Sequence, residues 1–137
     1  MADDVLLAKA QAIERSLGRI ASRYQGPESR LETDLDMQDI VVLNLQRACE
    51  AAIDGAMRVI NKNRLGLPQE SREAFTMLEE AGLLDRDLAA RLRRMVGFRN
   101  VAVHDYQRLD WGIVRSILDH DLPDLRRFGD WLVAAAR

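Results

Sequence analysis

A helical repeat of apolar residues runs through nearly the whole chain and most constrains its fold. Between residues 3 and 24 the spacings are seven, four, three and four, at Leu6, Ile13, Leu17, Ile20 and Tyr24. Such spacing places the side chains on one face of an α-helix. Strand signals are weak, because β-branched runs such as IVVL at 40–43 lie inside longer helical patterns. The chain is therefore predicted to be all-α.

The second predicted helix, at about 34–63, is the longest. TDLD at 33–36 resembles a capping box, with Thr33 as N-cap and an aspartate where Glu is usual. Its apolar stripe includes Ile40, Leu43, Ala48, Ala52, Ala56 and Val59. The alanines on this stripe would let another helix approach closely. About 30 helical residues span about 45 Å, which exceeds what one small domain covers. Free apolar surface then favours a homodimer over a monomer with a kinked helix.

Turn and cap signals divide the rest of the chain. A Gly-Pro pair at 26–27 ends the first helix. A short helix is predicted at 71–81, closed by Gly82. Asp85 caps a fourth helix that reaches about Phe98 or beyond, and Asp110 caps a fifth.

Pro123 marks either the start of a last helix or a break within one helix that runs to about residue 136. The connections are short, so we expect an antiparallel bundle of about five helices. At 137 residues, the bundle is expected to form a single domain over 1–137.

Composition excludes several classes of protein. No uncharged run approaches the roughly 20 residues of a membrane helix, and the start MADDVLLAKA does not resemble a signal peptide. Cys49 is the only cysteine, so neither a disulfide framework nor a cysteine-based zinc site is expected. The default expectation is a cytoplasmic protein. The sequence lacks GxGxxG, P-loop and nucleophile-elbow motifs, and no cofactor or metal is predicted.

One short stretch, FRNVAVHDYQ at 98–107, concentrates reactive side chains: Arg99, Asn100, His104 and Tyr106. In an ideal helix, residues five apart point about 140° away from each other, so Arg99 and His104 would not share a site easily. Asn100 favours turns, and a helix that ends or distorts here would let Arg99, His104 and Tyr106 converge. Alternatively, copies from two subunits meet across a dimer axis.

These side chains fit RNA cleavage without a metal. A neutral imidazole, here His104, can take the proton from an RNA 2′-hydroxyl, which then attacks the adjacent phosphorus. Arg99 can hold the phosphate, and Asn100 can position His104 or the phosphate by hydrogen bonds. DNA lacks that hydroxyl and would not be cut. The second histidine of an acid–base pair could be His104 of the partner subunit.

The surrounding arginines allow a second interpretation. The net charge of −2 and the pI of about 5.7 argue against a nucleic-acid coat but not against a local basic patch. Four arginines flank the cluster and form either an RNA-binding rim or a solvated helix face: Arg91, Arg93, Arg94 and Arg108. His120 also follows an arginine by five positions, but no tyrosine follows it, and we interpret His120 as structural or solvated.

The stretch RNVAVHDY resembles the Arg-x4-6-His signature of the HEPN superfamily, and Arg-x4-His-x-Tyr is similar to its HepT-like branch. This branch contains the toxin halves of bacterial HEPN–MNT toxin–antitoxin pairs. LNLQRACEAAIDGAMRVI at 43–60 is similar to the branch's long second helix. LPQESREAFTMLEEAGLLDRDLAARLRRMVGFRN at 67–100 is similar to its third and fourth helices. The resemblance covers nearly the whole chain.

The resemblance implies a dimeric helical bundle that cleaves cellular RNA, either tRNA or mRNA. The cleavage would need no metal and would leave a 2′,3′-cyclic phosphate. By position, Arg99 and His104 would be catalytic and Asn100 would support them. Tyr106 matches the tyrosine that the MNT-type nucleotidyltransferase antitoxin modifies with AMP. Neither DNA nor a membrane is an expected partner. The alternatives are a non-catalytic scaffold subunit of a small nucleotidyltransferase and a plain dimeric bundle without a site.

Overall fold

Helices form all of the regular structure in a computed structural model that describes residues 1–137. The α-helices are α1 (Asp4–Arg23), α2 (Leu35–Lys62), α3 (Ser71–Glu80), α4 (Arg86–His104), α5 (Trp111–Ser116) and α6 (Leu122–Ala135). A 3-10 turn (Tyr106–Arg108) follows α4, and a π-helical segment (Ile117–Asp121) joins α5 to α6. If α5 and α6 are counted as one interrupted helix, the prediction of an all-α bundle of about five helices is confirmed. None of these helices combines the length and apolarity needed to cross a membrane.

Helix α2 lies at the centre of the bundle, because it packs against α1, α3, α4 and α6. Most of its predicted stripe is buried: Ala48, Ala52, Ala56 and Val59. A neighbouring helix approaches closely at Gly55, where an added Cβ would lie 2.7 Å from two methyl carbons of Leu132 on α6. Small residues on α2 therefore allow α6 to pack close to its backbone.

Two details of the predicted α2 are wrong. Its N-cap is Asp34 rather than Thr33, because the Asp34 carboxylate accepts a hydrogen bond from the Met37 N–H at 3.1 Å. Aspartate is at least as good an N-cap residue as threonine, so Asp34 can cap the helix in place of Thr33. Leu43, predicted to be buried, is 44% exposed, because the buried face passes through Val42 instead.

The other helix ends follow their sequence signals. Gly82 follows α3 with φ +75°, a left-handed conformation that glycine adopts without strain. The Asp85 carboxylate accepts from the Leu88 N–H at 3.0 Å and caps α4. The Asp110 carboxylate accepts from the Gly112 N–H at 2.9 Å and caps α5.

Pro123 explains the interruption between α5 and α6. Proline cannot donate to the carbonyl one turn earlier, and its ring crowds that carbonyl. The preceding residues form the π-helical segment, whose wider turns accommodate the disruption. This result matches the second of the two sequence predictions, a break within one helix that ends near residue 136.

Arg115 on α5 ties down the connection between α1 and α2. Its Nε and Nη2 donate to the two carboxylate oxygens of Glu32 at 2.8 and 2.7 Å. Its Nη1 and Nη2 also donate to the backbone carbonyls of Pro27 at 2.8 Å and Ser29 at 2.6 Å. The guanidinium donates to the Tyr24 hydroxyl at 3.1 Å as well. The start of α2 is thereby held against α5.

Candidate functional site

Helix α4 carries the reactive stretch and is unbroken through His104. The Asp105 N–H still donates to the carbonyl of Val101 at 2.8 Å, and the helix ends only where Asp105 turns to φ −152°. A helix that ends or distorts near Asn100, one of the two alternatives for bringing these side chains together, is not observed, because α4 continues through buried Ala102 to His104 despite the weak helix formers around it. Within one chain, Arg99 and His104 keep the divergent directions of an ideal helix.

The Arg99 side chain is partly buried, and not all of its N–H donors form hydrogen bonds. The side chain is 22% exposed, and Nη1 donates to Oδ1 of Asn100 at 2.7 Å. Nε lies 3.8 Å from a carboxylate oxygen of Glu50 on α2, which is an ion pair but not a hydrogen bond. This Nε is buried without a hydrogen-bond partner. A guanidinium has five N–H donors, so Arg99 retains donors for an anion. Asn100 hydrogen-bonds to Arg99 and makes no hydrogen bond to His104.

His104 is exposed at the end of α4, and its imidazole makes no hydrogen bond within the chain. Both ring nitrogens are therefore free to meet a substrate or a second subunit. His120, the other histidine, is also exposed and lies in the π-helical segment, which agrees with its interpretation as a solvated residue.

Tyr106 stands on the 3-10 turn directly after α4. Its hydroxyl donates to Oδ1 of Asp39 on α2 at 2.6 Å. Its ring packs edge-to-face on Trp111, with the ring centroids 6.1 Å apart. Burial, followed by the hydrogen bond and negative charge of Asp39, raises the pKa of Tyr106 above its ordinary value. The residue remains 38% exposed, so the neutral phenol is accessible.

Asp39 was missed in the sequence analysis. It lies 67 residues before Tyr106, and no spacing rule connects an α2 carboxylate with a turn after α4. The available signal was indirect: an acidic residue on a long helix expected to pack beside the reactive stretch. Such a pairing depends on the helix register, which apolar periodicity alone does not determine.

Two exposed apolar residues lie beside these groups. The contacts Asp39–Tyr106 and Glu50–Arg99 fix an antiparallel register of α2 and α4. Leu43 follows Asp39 by one turn, and Val103 precedes Tyr106 by three residues. In this register both residues lie between the Asp39–Tyr106 contact and the Glu50–Arg99 contact. They are 44% and 43% exposed. Both side chains therefore belong to the part of the α2–α4 pair that carries Asp39 and Tyr106.

The four flanking arginines do not form a uniform basic rim. Arg91 pairs with Asp87 at 3.1 Å, Arg93 with Glu79 at 3.0 Å, and Arg108 with Asp105 at 3.4 Å. Arg94 is exposed and has no ion pair. A cavity of about 410 Å³ lies between α4, α5 and the π-helical segment. Three of the four arginines line it, namely Arg91, Arg94 and Arg108. Three aspartates line it as well, namely Asp110, Asp121 and Asp124.

Neither the cysteine nor any carboxylate cluster adds a competing site. Cys49 is buried, and burial raises the pKa of its thiol to about 12, which keeps it un-ionised. No three His, Cys, Asp or Glu side chains are grouped so that they could hold a metal ion. The reactive groups of this region are the guanidinium, the imidazole and the Tyr106–Asp39 pair.

Comparison with known proteins gives consistent matches over almost the whole chain. A family model described as ribonuclease HepT-like matches residues 13–130. The mRNA nuclease HepT of Shewanella oneidensis is 42% identical over 132 residues, which is 96% of this chain and 98% of that protein.

Solved structures resemble the fold equally well. One contains the tri-AMPylated Shewanella oneidensis HEPN toxin in complex with MNT antitoxin; it is 42% identical, with a TM-score of 0.90, and the match covers 96% of this chain and 98% of that one. Another is a toxin–antitoxin with AMP-PNP, 42% identical, with a TM-score of 0.89 and coverage of 95% and 98%.

Proposed function

The chain belongs to the family of HepT-like ribonucleases, and from this premise we propose that it is the RNA-cleaving toxin of a HEPN–MNT toxin–antitoxin pair. The proposal is carried by Arg99, a half-buried guanidinium that makes one hydrogen bond within the chain, on the same helix as a free imidazole at His104. The resemblance read from the sequence is confirmed at the level of the family. The substrate is mRNA, by analogy with the Shewanella oneidensis relative, and the place of action is the cytoplasm.

The cleavage proceeds by proton transfer and anion binding. Neutral His104 takes the proton of a 2′-hydroxyl, and the 2′-oxygen attacks the adjacent phosphorus. The 5′-oxygen of the next nucleotide leaves with a proton from a general acid, and a 2′,3′-cyclic phosphate remains. Arg99 binds the phosphate oxygens through its free donors and stabilises their growing charge, while Asn100 holds the guanidinium in place. No metal takes part in these steps, and DNA is not a substrate.

A homodimer completes the site. Arg99 and His104 diverge on an unbroken α4, so one chain supplies at most half of a convergent arrangement. The exposed Leu43 and Val103 adjoin these groups and provide apolar surface for a second copy. In the dimer, His104 of the partner subunit is the general acid. Arg94, which has no ion pair, and Arg108, whose side chain is 84% exposed despite its ion pair with Asp105, contact the RNA backbone. Arg91 and Arg93 remain engaged with carboxylates.

Control of the toxin acts on Tyr106. The nucleotidyltransferase antitoxin binds the toxin and transfers AMP to the Tyr106 hydroxyl, which is accessible two residues after His104. The attached nucleotide adds a phosphate charge that competes for Arg99 and repels the RNA backbone. Modification therefore blocks the site by occupying it.

The decisive test compares the unmodified protein with Arg99→Ala and His104→Ala on RNA in the presence of EDTA. The parent is expected to cut RNA and leave 2′,3′-cyclic ends, and each variant to lose at least about 100-fold in rate. His120→Ala is the matched control, because His120 also follows an arginine by five positions, and it is expected to keep the parent rate.

The outcomes separate the candidate functions. Cleavage that needs added metal would refute the mechanism but not the ribonuclease activity. A parent of unmodified mass that does not cut RNA would favour the non-catalytic scaffold subunit. Leu43→Asp, compared with Val133→Asp on α6, tests the dimer: the first is expected to give monomers with little activity, and the second a dimer with the parent rate.

A further inference from the structure

The shortest contact in the site joins Tyr106 to a residue without an assigned role. The Tyr106 hydroxyl lies 2.6 Å from Oδ1 of Asp39, within the range of about 2.5–2.7 Å typical of a hydrogen bond from a hydroxyl to a carboxylate. The edge-to-face contact with Trp111 orients the phenol ring. Asp39 projects from α2 near the protein surface, so the pair stays within reach of an incoming reagent.

We propose that Asp39 is the general base for adenylylation of Tyr106, so that the toxin supplies a catalytic residue for its own modification. This inference rests on the proposed transfer of AMP to Tyr106. It assigns binding of the nucleotide to the antitoxin and activation of the nucleophile to the toxin.

The step balances with a nucleoside triphosphate as the co-reactant. The Tyr106 Oη attacks the α-phosphorus of ATP, and a phenolic O–P bond forms. The bond between the α-phosphorus and the oxygen bridging to the β-phosphorus breaks, and its electron pair leaves with pyrophosphate. The phenolic proton passes to Oδ1 of Asp39, which already accepts that hydrogen bond. No oxidation or reduction occurs.

A base is needed because the phenol does not ionise near neutral pH. Burial and the adjacent Asp39 raise the pKa of Tyr106, so the phenolate is scarcer than for free tyrosine. The phenol must therefore lose its proton as the new bond forms. Among the other charged groups close by in sequence, Asp105 and Arg108 pair with each other at 3.4 Å, and His104 makes no hydrogen bond within the chain. Asp39 alone contacts the hydroxyl.

The test measures adenylylation of the full chain by excess partner nucleotidyltransferase and ATP, followed by intact mass between pH 6 and 9. Asp39→Asn keeps the size of the side chain but cannot accept the proton, and is expected to react about 100-fold more slowly at pH 7. Its rate should rise about tenfold per pH unit, because it depends on pre-formed phenolate. The parent rate should stay nearly flat above pH 6.

Two variants control for structure. Asp36→Asn removes an exposed carboxylate one turn earlier on α2 and is expected to behave as the parent. Asp39→Glu keeps a carboxylate and is expected to retain the flat pH profile, even at a lower rate. A purely structural role for Asp39 would lower the rate of Asp39→Asn without changing the slope.

The results distinguish this inference from the proposed function. Asp39→Asn modified at the parent rate, or Asp39→Glu with the rising profile of Asp39→Asn, would overturn the assignment of Asp39 while leaving Tyr106 as the modified residue. A parent chain that gains no AMP at Tyr106 would overturn both.

Discussion

Arg115 and Arg99 each precede a histidine by five residues, and we predict opposite effects of removing them. Arg115→Ala should destabilise the fold and leave the RNA-cleaving rate per folded molecule unchanged. Arg99→Ala should abolish cleavage and leave stability nearly unchanged. The difference lies in what each guanidinium already binds within the chain.

The magnitudes follow from the contacts. Arg115 donates to two backbone carbonyls and one phenol, and each such bond contributes about 1 kcal/mol net. Its exposed ion pair with Glu32 adds little. Arg115→Ala should therefore cost about 2–3 kcal/mol. With an unfolding entropy of roughly 0.29 kcal/mol/K for this length, Tm falls by about 7–10 °C. Arg99 makes one hydrogen bond, to Asn100, and its Tm change should stay within about 3 °C.

The assay is thermal unfolding monitored by circular dichroism, paired with RNA cleavage at 25 °C normalised to folded protein. Arg115→Lys should recover less than half of the lost Tm, because an ammonium group cannot reach the carboxylate and both carbonyls together. A Tm for Arg115→Ala within 2 °C of the parent would refute the structural role of these contacts. A large loss of Tm in Arg99→Ala would refute the view that this side chain is held for a substrate.

Three further predictions follow from other side chains. The ion pair of Glu32 lowers the pKa of its carboxyl from 4.5 to about 2, so its contribution is present above pH 4.5 and lost as pH falls toward 2; a Glu32→Gln variant should lose less Tm over that interval. Tyr106 should stay protonated well above pH 10 in a spectroscopic titration of a Tyr24→Phe variant, and Asp39→Asn should lower its pKa. Phe128 is fully buried against Phe75, with ring centroids 5.5 Å apart, so Phe128→Ala should cost about 4 kcal/mol, or roughly 14 °C in Tm by calorimetry.

The sequence predicted the helices well because their signals are local. Apolar periodicity and single-residue caps determined α1, α3 and the starts of α4 and α5, as at Asp85 and Asp110. These features depend on residues within one or two turns of each other. The error at Thr33 has the same local origin, since two adjacent residues were both able to cap α2 and only the observed hydrogen bond of Asp34 decides between them.

The candidate site was less predictable, because its contacts join distant parts of the chain. Asp39 meets Tyr106 and Glu50 meets Arg99 only through the register of α2 against α4. The choice between a distorted α4 and an unbroken one also depended on distant contacts. Weak helix formers around Asn100 favour an end to the helix locally, but tertiary packing of Ala102 keeps it intact.

Spacing alone does not distinguish Arg99 from Arg115, but their hydrogen bonds within the chain differ. Arg115 uses Nε, Nη1 and Nη2 in five bonds within the chain, so little of its donor capacity remains for a ligand. Arg99 makes one hydrogen bond within the chain, from Nη1 to Asn100, and its Nη2 makes none. An arginine that binds phosphate must keep donors free until the phosphate arrives, and Arg99 meets that condition.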